Sequence, residues 1–272
     1  MTSWTTRPLI AAGILTLVIA APASPQSAED IIGRALDQYE RRMSKIENYT
    51  VVQEVMGIEV TNYFEKRMVD GRPVFELQDK YGGSEQDELG DMYYAFMDVA
   101  KNARVEGKEK VDGRDCHVLL IDDFSGLDMG REGDDDFEPK KGLFYLDTDD
   151  YVLRRMVMDG TITADGQQKP VTLDAYFEDY REVAGMLHPF VMRMQMSGLQ
   201  GSMSQEEIEE ARKNLEEMKK QLAEMPESQR AMVEKMMGSQ MENLEKMVNQ
   251  GSMEFTITVK DLQVNKGAPE NN

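Results

Sequence analysis

Three stretches of this chain alternate apolar and polar residues, and that period of two restricts the fold more than any other feature. Val171, Leu173, Ala175 and Phe177 fall on one side of their stretch. Phe190, Met192, Met194 and Met196 do the same in a second, and Met253, Phe255, Ile257 and Val259 in a third. The opposite sides carry Thr172, Asp174, Glu178, Arg193, Gln195, Glu254, Thr256 and Lys260. Successive side chains of a strand point to opposite faces, so the pattern specifies antiparallel sheet with one apolar and one wetted face. Further β-rich runs occupy Tyr49–Met56, Glu59–Met68, Pro73–Leu77, Ala103–Val111, Asp115–Ile121, Leu143–Leu146 and Tyr151–Met158. Asp70-Gly71 and Asp112-Gly113 supply the positive φ of tight hairpins. Roughly ten strands in succession predict a strongly curved antiparallel sheet or an unclosed β-barrel.

An apolar sheet face must be covered, and two helical segments precede most of the strands. Ser27 to Ile46 has a capping serine, with Asp30 in the reciprocal position. Its Ile31, Ile32, Ala35, Leu36, Tyr39 and Met43 recur at helical spacing. A second segment runs from about Glu88 to Ala103. Together they are expected to form a lid on the apolar side. Between residues 122 and 138 lies a loop with eight acidic residues and one basic residue, Arg131. Its spacing matches no calcium loop, so a solvated acidic loop is expected and no metal site.

Residues 203–250 interrupt the β pattern. Ser204 is placed to cap a helix with Glu206 and Glu207 in its first turn. Ile208, Ala211, Leu215, Met218, Leu222 and Met225 then recur at alternating steps of three and four, a heptad seam. Pro226 starts a second helix that carries Met232, Val233, Met236, Met237, Met241, Leu244, Met247 and Val248. Glu209–Lys213, Glu216–Lys220 and Glu242–Lys246 lie at i,i+4 with glutamate first. The short connection predicts an inserted antiparallel helical hairpin. Nine of the 22 methionines fall between Met203 and Met253. Methionine is flexible and polarisable, so Met218, Met225, Met232, Met236, Met237 and Met241 suit an adaptable apolar arm. The seam alone favours the plainer alternative, two helices packing together. Thioethers also suit Cu(I), a more remote reading.

Residues 1–23 have the parts of a cleavable signal peptide. Arg7 precedes an apolar run of 13 residues, Leu9–Ala21, and Ala21-Pro22-Ala23 ends it. The run is shorter than the roughly 20 residues that span a bilayer. The expected product is residues 24–272, a single domain in the periplasm with no transmembrane segment. Loss of Arg7 takes the net charge from −20 to −21, which repels nucleic acid and anionic head groups at long range. Cys116 is the one cysteine, so no internal disulfide forms. Its strand context suits a small buried residue.

Of the usual catalytic signatures none is present: no HExxH, paired cysteines, nucleophile elbow, P-loop or dinucleotide fingerprint. Its histidines are His117, within a strand, and His188, before Pro189. No cofactor and no enzymatic activity are expected; a hydrolase would need a carboxylate or histidine pair brought together in space.

Several short segments, in order, resemble the LolA/LolB-like superfamily of outer-membrane lipoprotein carriers and sorting proteins. They are Ala28-Glu29-Asp30-Ile31-Ile32 through Tyr39, then Ile46–Val55; Val111-Asp112-Gly113-Arg114 with Val118-Leu119-Leu120; Leu143–Asp147 with Leu153-Arg154-Arg155; Tyr180-Arg181-Glu182-Val183 with Gly185 and Pro189; and Val264-Asn265. The likeness covers most of residues 28–200 and 251–265. It implies an unclosed antiparallel β-barrel with a helical lid around an apolar cavity that holds lipoprotein acyl chains or lipids. Here that cavity would be lined by Val171, Leu173, Phe177, Phe190, Met192, Met194, Met196, Phe255 and Ile257. For a gating arginine of the carriers, Arg154 and Arg155 are the nearby basic candidates. Inner- or outer-membrane proteins are the further partners that the resemblance implies. The helical hairpin at 203–250 is not part of the family's basic pattern. The alternative function is a protein-binding or envelope-sensor module in which the same apolar face is simply core.

Overall fold

The computed structural model describes residues 26–69, 71–78, 94, 100–124, 137–164, 166–199 and 205–269. The expected signal peptide, the centre of the acidic loop, Asp70, Ser204 and nearly all of the second helical segment lie outside them. Of that second segment Tyr94 is helical, and Ala100–Asn102 form a 3-10 turn that ends where a strand begins.

Helix α1 spans Ala28–Met43. The Ser27 hydroxyl accepts the Asp30 N–H at 3.0 Å and the Asp30 carboxylate accepts the Ser27 N–H at 3.4 Å, so the capping box forms. The helix stops three residues before the expected Ile46 because the chain beyond it is held elsewhere. The Asn265 amide accepts from the Glu47 N–H at 2.7 Å and donates to the Lys45 carbonyl at 3.0 Å. That clamp ties the end of α1 to the last strand.

Ten strands follow among the described residues: β1 Asn48–Val55, β2 Ile58–Val69, β3 Arg72–Leu77, β4 Ala103–Val111, β5 Arg114–Ile121, β6 Glu138–Asp147, β7 Leu153–Ala164, β8 Gln167–Val183, β9 Met186–Ser197 and β10 Ser252–Val264. They form one antiparallel sheet in the order β3-β2-β1-β10-β9-β8-β7-β6-β5-β4. The sheet is unclosed, with β3 and β4 at its edges. Strands β7, β8 and β9 outrun their sequence expectations. The added ends of β8 are mostly polar, Gln167-Gln168-Lys169 and Arg181-Glu182, yet they stay paired, as in Thr163–Gln168 and Glu182–Leu187.

The apolar side of α1 lies on one face of this sheet. Ile31, Ile32 and Ala35 are buried with Leu119, Ile121, Phe144, Leu146, Leu153, Ala175 and Phe177. Met43 and Ile46 are buried with Tyr49, Phe75, Met186, Phe190, Val259 and Leu262. One helix thus bridges two core clusters on the same face, as amphipathic periodicity and strand alternation require together.

Close packing at β6 and β7 depends on missing side chains. A Cβ on Gly160 would lie 2.5 Å from the Phe137 ring and 2.6 Å from the Glu138 carbonyl oxygen. A backbone neighbour cannot swing away, so Gly160→Ala is expected to shift the start of β6 and cost about 1–3 kcal/mol, as overpacking does. A urea melt checks this, and an unchanged midpoint would show that the contact is slack.

Two further helices occupy α2, Gln205–Glu224, and α3, Glu227–Gln250. Lys219 meets Glu245 at 2.8 Å, and Leu215 and Val248 are buried. Arg230 in the first turn of α3 donates to the carbonyls of Leu222, Ala223 and Met225 at 3.1–3.2 Å, satisfying the end of α2. Of the expected i,i+4 pairs, Glu242–Lys246 stands at 3.1 Å. Gly251 ends α3 with φ +62, the left-handed conformation that glycine adopts without a Cβ penalty.

Candidate apolar binding face

The candidate site residues come together through strand register. Leu173 faces Met196, which faces Met253; Ala175 faces Met194, which faces Phe255; Phe177 faces Met192, which faces Ile257. Directly opposed residues in an antiparallel pair share a face. These three transverse rows therefore lie on one face of β8, β9 and β10, the face on which α1 packs. Val171 continues that face on β8, and Phe190 continues it on β9.

The face is graded. Val171, Phe177 and Phe190 are buried. Leu173, Met192 and Met194 are partly buried against the first core cluster. Phe190 instead joins the second cluster, under the end of α1 beside Met43 and Ile46. Met196, Phe255 and Ile257 are half-buried and belong to neither cluster. The face thus begins as core under α1 and continues beyond it through the half-buried Met196, Phe255 and Ile257, with Val171 buried at its far end on β8.

The helical methionines are more dispersed. Met218, Met225 and Met241 are half-buried. Met232, Met236 and Met237 lie on α3, and their side chains fall outside the described set. A cleft of about 390 Å³ between the helices includes Leu222, Met241 and Gly238 among its walls. A larger cleft of about 630 Å³ lies between α1 and β2–β3, where Asp37, Glu40, Arg41 and Lys66 line it. That one is charged and shares no residue with the three rows.

The opposite face is less wet than alternation alone suggests. Tyr145, Arg155, Tyr176 and Arg193 stand in one row across β6–β9. Arg155 lies 5.3 Å from the Tyr145 ring and 4.9 Å from the Tyr176 ring, and Arg193 lies 4.6 Å from Tyr176, all within cation–π range. Asp174 takes two hydrogen bonds from Arg155 at 2.8–2.9 Å, and Glu178 takes one from Arg193 at 2.6 Å. Those bonds raise the pKa of both guanidiniums above their ordinary value. Cys116 is fully buried on this side with Val111, Val118 and Tyr145, and burial pushes its thiol up to about 11. It is a packing residue, as expected.

Both candidate gating arginines are held by carboxylates. Arg155 is held in the outer ladder. Arg154 is bonded to Asp147 at 3.1 Å and lies 4.6 Å from the Tyr180 ring. Asp147 is 1% exposed and also accepts from Arg114 at 2.9 Å and from the Asp149 and Asp150 N–H groups at 2.9 and 3.1 Å. Asp147, Arg114 and Arg154 all fall in the segments that carry the family resemblance, but their convergence is not legible there; the signal available is the run Asp147-Thr148-Asp149-Asp150 set between Arg114 and Arg154.

Neither histidine has a catalytic setting in this arrangement. His117 stacks on Tyr151 at 6.1 Å and His188 packs edge-on against Phe190 at 6.5 Å. Burial lowers the pKa of both, His188 to about 4, so each is neutral at pH 7. Among the described residues, no three His, Cys, Asp or Glu side chains gather as a metal site. No described helix is long and apolar enough to cross a membrane.

No protein-family model matches the chain, and no curated protein sequence matches it. Among solved structures it is similar to a DUF1329 family protein from Desulfovibrio piger, with 13% identity over 88% of this chain and 95% of the other and a TM-score of 0.39. It is also similar to a domain assigned as an outer membrane lipoprotein-sorting protein from Vibrio parahaemolyticus, with 11% identity over 88% and 96% and a TM-score of 0.36. A LolA superfamily protein from Nitrosomonas europaea matches at 9% identity over 88% and 94%, with a TM-score of 0.33. The family that the sequence resembles is therefore among the structural neighbours, all of them at low identity.

Proposed function

We propose that this protein is a non-enzymatic carrier of the bacterial envelope that holds acyl chains of lipoproteins or lipids on the apolar face of β8–β10. The observation that supports it best is the grading of that face. A core that served packing alone would end where α1 ends, whereas Met196, Phe255 and Ile257 continue it as half-buried surface. Each methylene buried there contributes about 0.8 kcal/mol, so a lipid tail binds with no catalytic group and no charge. Methionines repack around chains of different shape at low cost. The secretory features of residues 1–23 and the sequence resemblance to lipoprotein carriers agree with this reading. In it α1 is the lid, and the α2–α3 pair is a hairpin arm that presents Met218, Met225 and Met241 to a membrane or a partner protein.

The runner-up, a protein-binding or sensor module, draws on a different observation: α1 already fills the face over β5–β8, as it would in a plain core.

Native and denaturing mass spectra of residues 24–272, purified without detergent and offered a lysophospholipid, separate the two. The carrier retains acyl-bearing adducts in the native spectrum and releases them on unfolding. Met194→Trp, which fills the middle row, is expected to reduce the loaded fraction at least tenfold. A clean unliganded mass under saturating lipid would sink the carrier reading and favour the protein binder.

A further inference from the structure

One row of the apolar face does not stop at β10. Phe177 faces Met192, Met192 faces Ile257, Ile257 faces Val55, and Val55 faces Ile58. Five strands therefore present one continuous apolar row on a single face. Exposure rises along it from 5% at Phe177 to 56% at Ile58. The row ends at the β1–β2 hairpin, beside Val60, which is also exposed.

The hairpin itself is unusual. Its two-residue turn is Met56-Gly57, with φ +52 and +81. Such turns favour Asn-Gly, because asparagine tolerates left-handed backbone and methionine does not. An apolar side chain is thus kept at the tip at a backbone cost. The polar residues of this segment, Glu54 and Glu59, occupy the positions that alternate with Val55, Ile58 and Val60 and point to the other face. Strand β10 runs on past the last β1 pairing, Val55–Ile257, and α3 takes up that stretch. There the Asn243 amide accepts the Glu254 N–H at 3.3 Å, and Lys246 meets Glu254 at 3.0 Å. The tip and α3 therefore sit on neighbouring lengths of one strand.

We infer that the β1–β2 hairpin tip is the mouth by which a single acyl chain enters, with Ile58, Val55 and Ile257 as its track toward Met192 and Phe177. The inference rests on the carrier reading above. The occupant is one acyl chain and not a second copy of the protein, on three grounds. A second copy would bring another net charge of −20 to the interface, whereas an acyl chain brings none. Where the row reaches solvent it exposes Ile58 and Val60, too small an apolar area for a protein interface of standard size. Four interstrand spacings give the row a length of about 19 Å, close to the roughly 15 Å that one leaflet's tails occupy.

The sole tryptophan, Trp4, lies before residue 24, so residues 24–272 offer a dark background. Ile58→Trp and, as a control on the other face and at the other end of β2, Val69→Trp report contact with a lysophospholipid whose acyl chain is brominated. The Ile58→Trp fluorescence is expected to be quenched at least threefold more than that of Val69→Trp. Ile58→Asp is expected to slow loading of a fluorescent acyl probe about tenfold, while Val69→Asp loads as the unmodified protein does. Equal quenching of the two tryptophans, or loading of Ile58→Asp at the unmodified rate, overturns the mouth and leaves the carrier reading standing. Shielding of Ile58→Trp that appears with self-association in sedimentation, without lipid, overturns it in favour of a dimer face. Absence of any uptake by the unmodified protein overturns the carrier reading, and this inference with it.

Discussion

Asp147→Asn is expected to cost about 3 kcal/mol of stability at pH 7, the low end of what removing one partner from a buried ion pair costs. Asp147 is 1% exposed, and Arg114 and Arg154 both bond to it. The amide keeps one acceptor, loses the charge, and leaves two guanidiniums with less than they need. The low end applies because Arg114 is 43% exposed and water compensates part of its loss. A urea titration at pH 7 reads the effect as a fall in midpoint with an unchanged slope. Acid adds a second signature. Burial alone would raise the Asp147 pKa, but the bond from Arg114, the Asp149 and Asp150 N–H groups and the charge of Arg154 outweigh it and hold it at about 2. A carboxylate depressed in the folded state stabilises above its unfolded value near 4, and that contribution, about 2 kcal/mol, is lost as pH falls toward 2. The variant should show no such loss between pH 4 and 2. A variant as stable as the parent, with the same acid limb, would mean that the node is solvated in solution.

The second large effect belongs to His188. Burial lowers its pKa from 6.5 to about 4. Between those values the unfolded chain takes up a proton and the folded chain does not, so stability falls as pH drops through that window. The full difference is about 3 kcal/mol. His188→Gln is expected to remove most of this dependence between pH 6.5 and 4 and to leave the limb between pH 4 and 2, set by Asp147, in place. His117, whose pKa burial also lowers, leaves a residual slope in the upper window. If His188→Gln melts with the same pH profile as the parent, His188 is open to water in solution.

Much of this architecture can be read from side-chain periodicity. The alternation of β8, β9 and β10 identified both the strands and the face they share, because a one-residue slip would have turned every methionine outward. The capping box at Ser27 located α1 for a local reason, two hydrogen bonds three residues apart. What periodicity cannot see is register between strands. It marks Val55, Ile58 and Met192 as apolar, but only pairing through β10 aligns them in one row. The Tyr145–Arg155–Tyr176–Arg193 ladder was hidden for the same reason, since each residue reads separately as a wetted position. The Asp147 node needs Arg114 from β5 and Arg154 from β7 to converge on a turn. Phe190 shows the converse: it alternates with Met192 and Met194, yet the clamp at Asn265 sets the end of α1 over it and puts it in a different cluster.

The central claim, that the accessible part of the apolar face binds an acyl chain, is tested most directly by calorimetric titration of detergent-free residues 24–272 with a monoacylated peptide at two temperatures. Burial of apolar surface gives a negative heat-capacity change whatever the sign of the heat at one temperature. The account predicts saturable binding of one acyl chain per protein, with that negative change, lost in Met194→Trp. Failure to bind the acylated peptide at either temperature, or equal binding of the same peptide without its acyl chain, would contradict it.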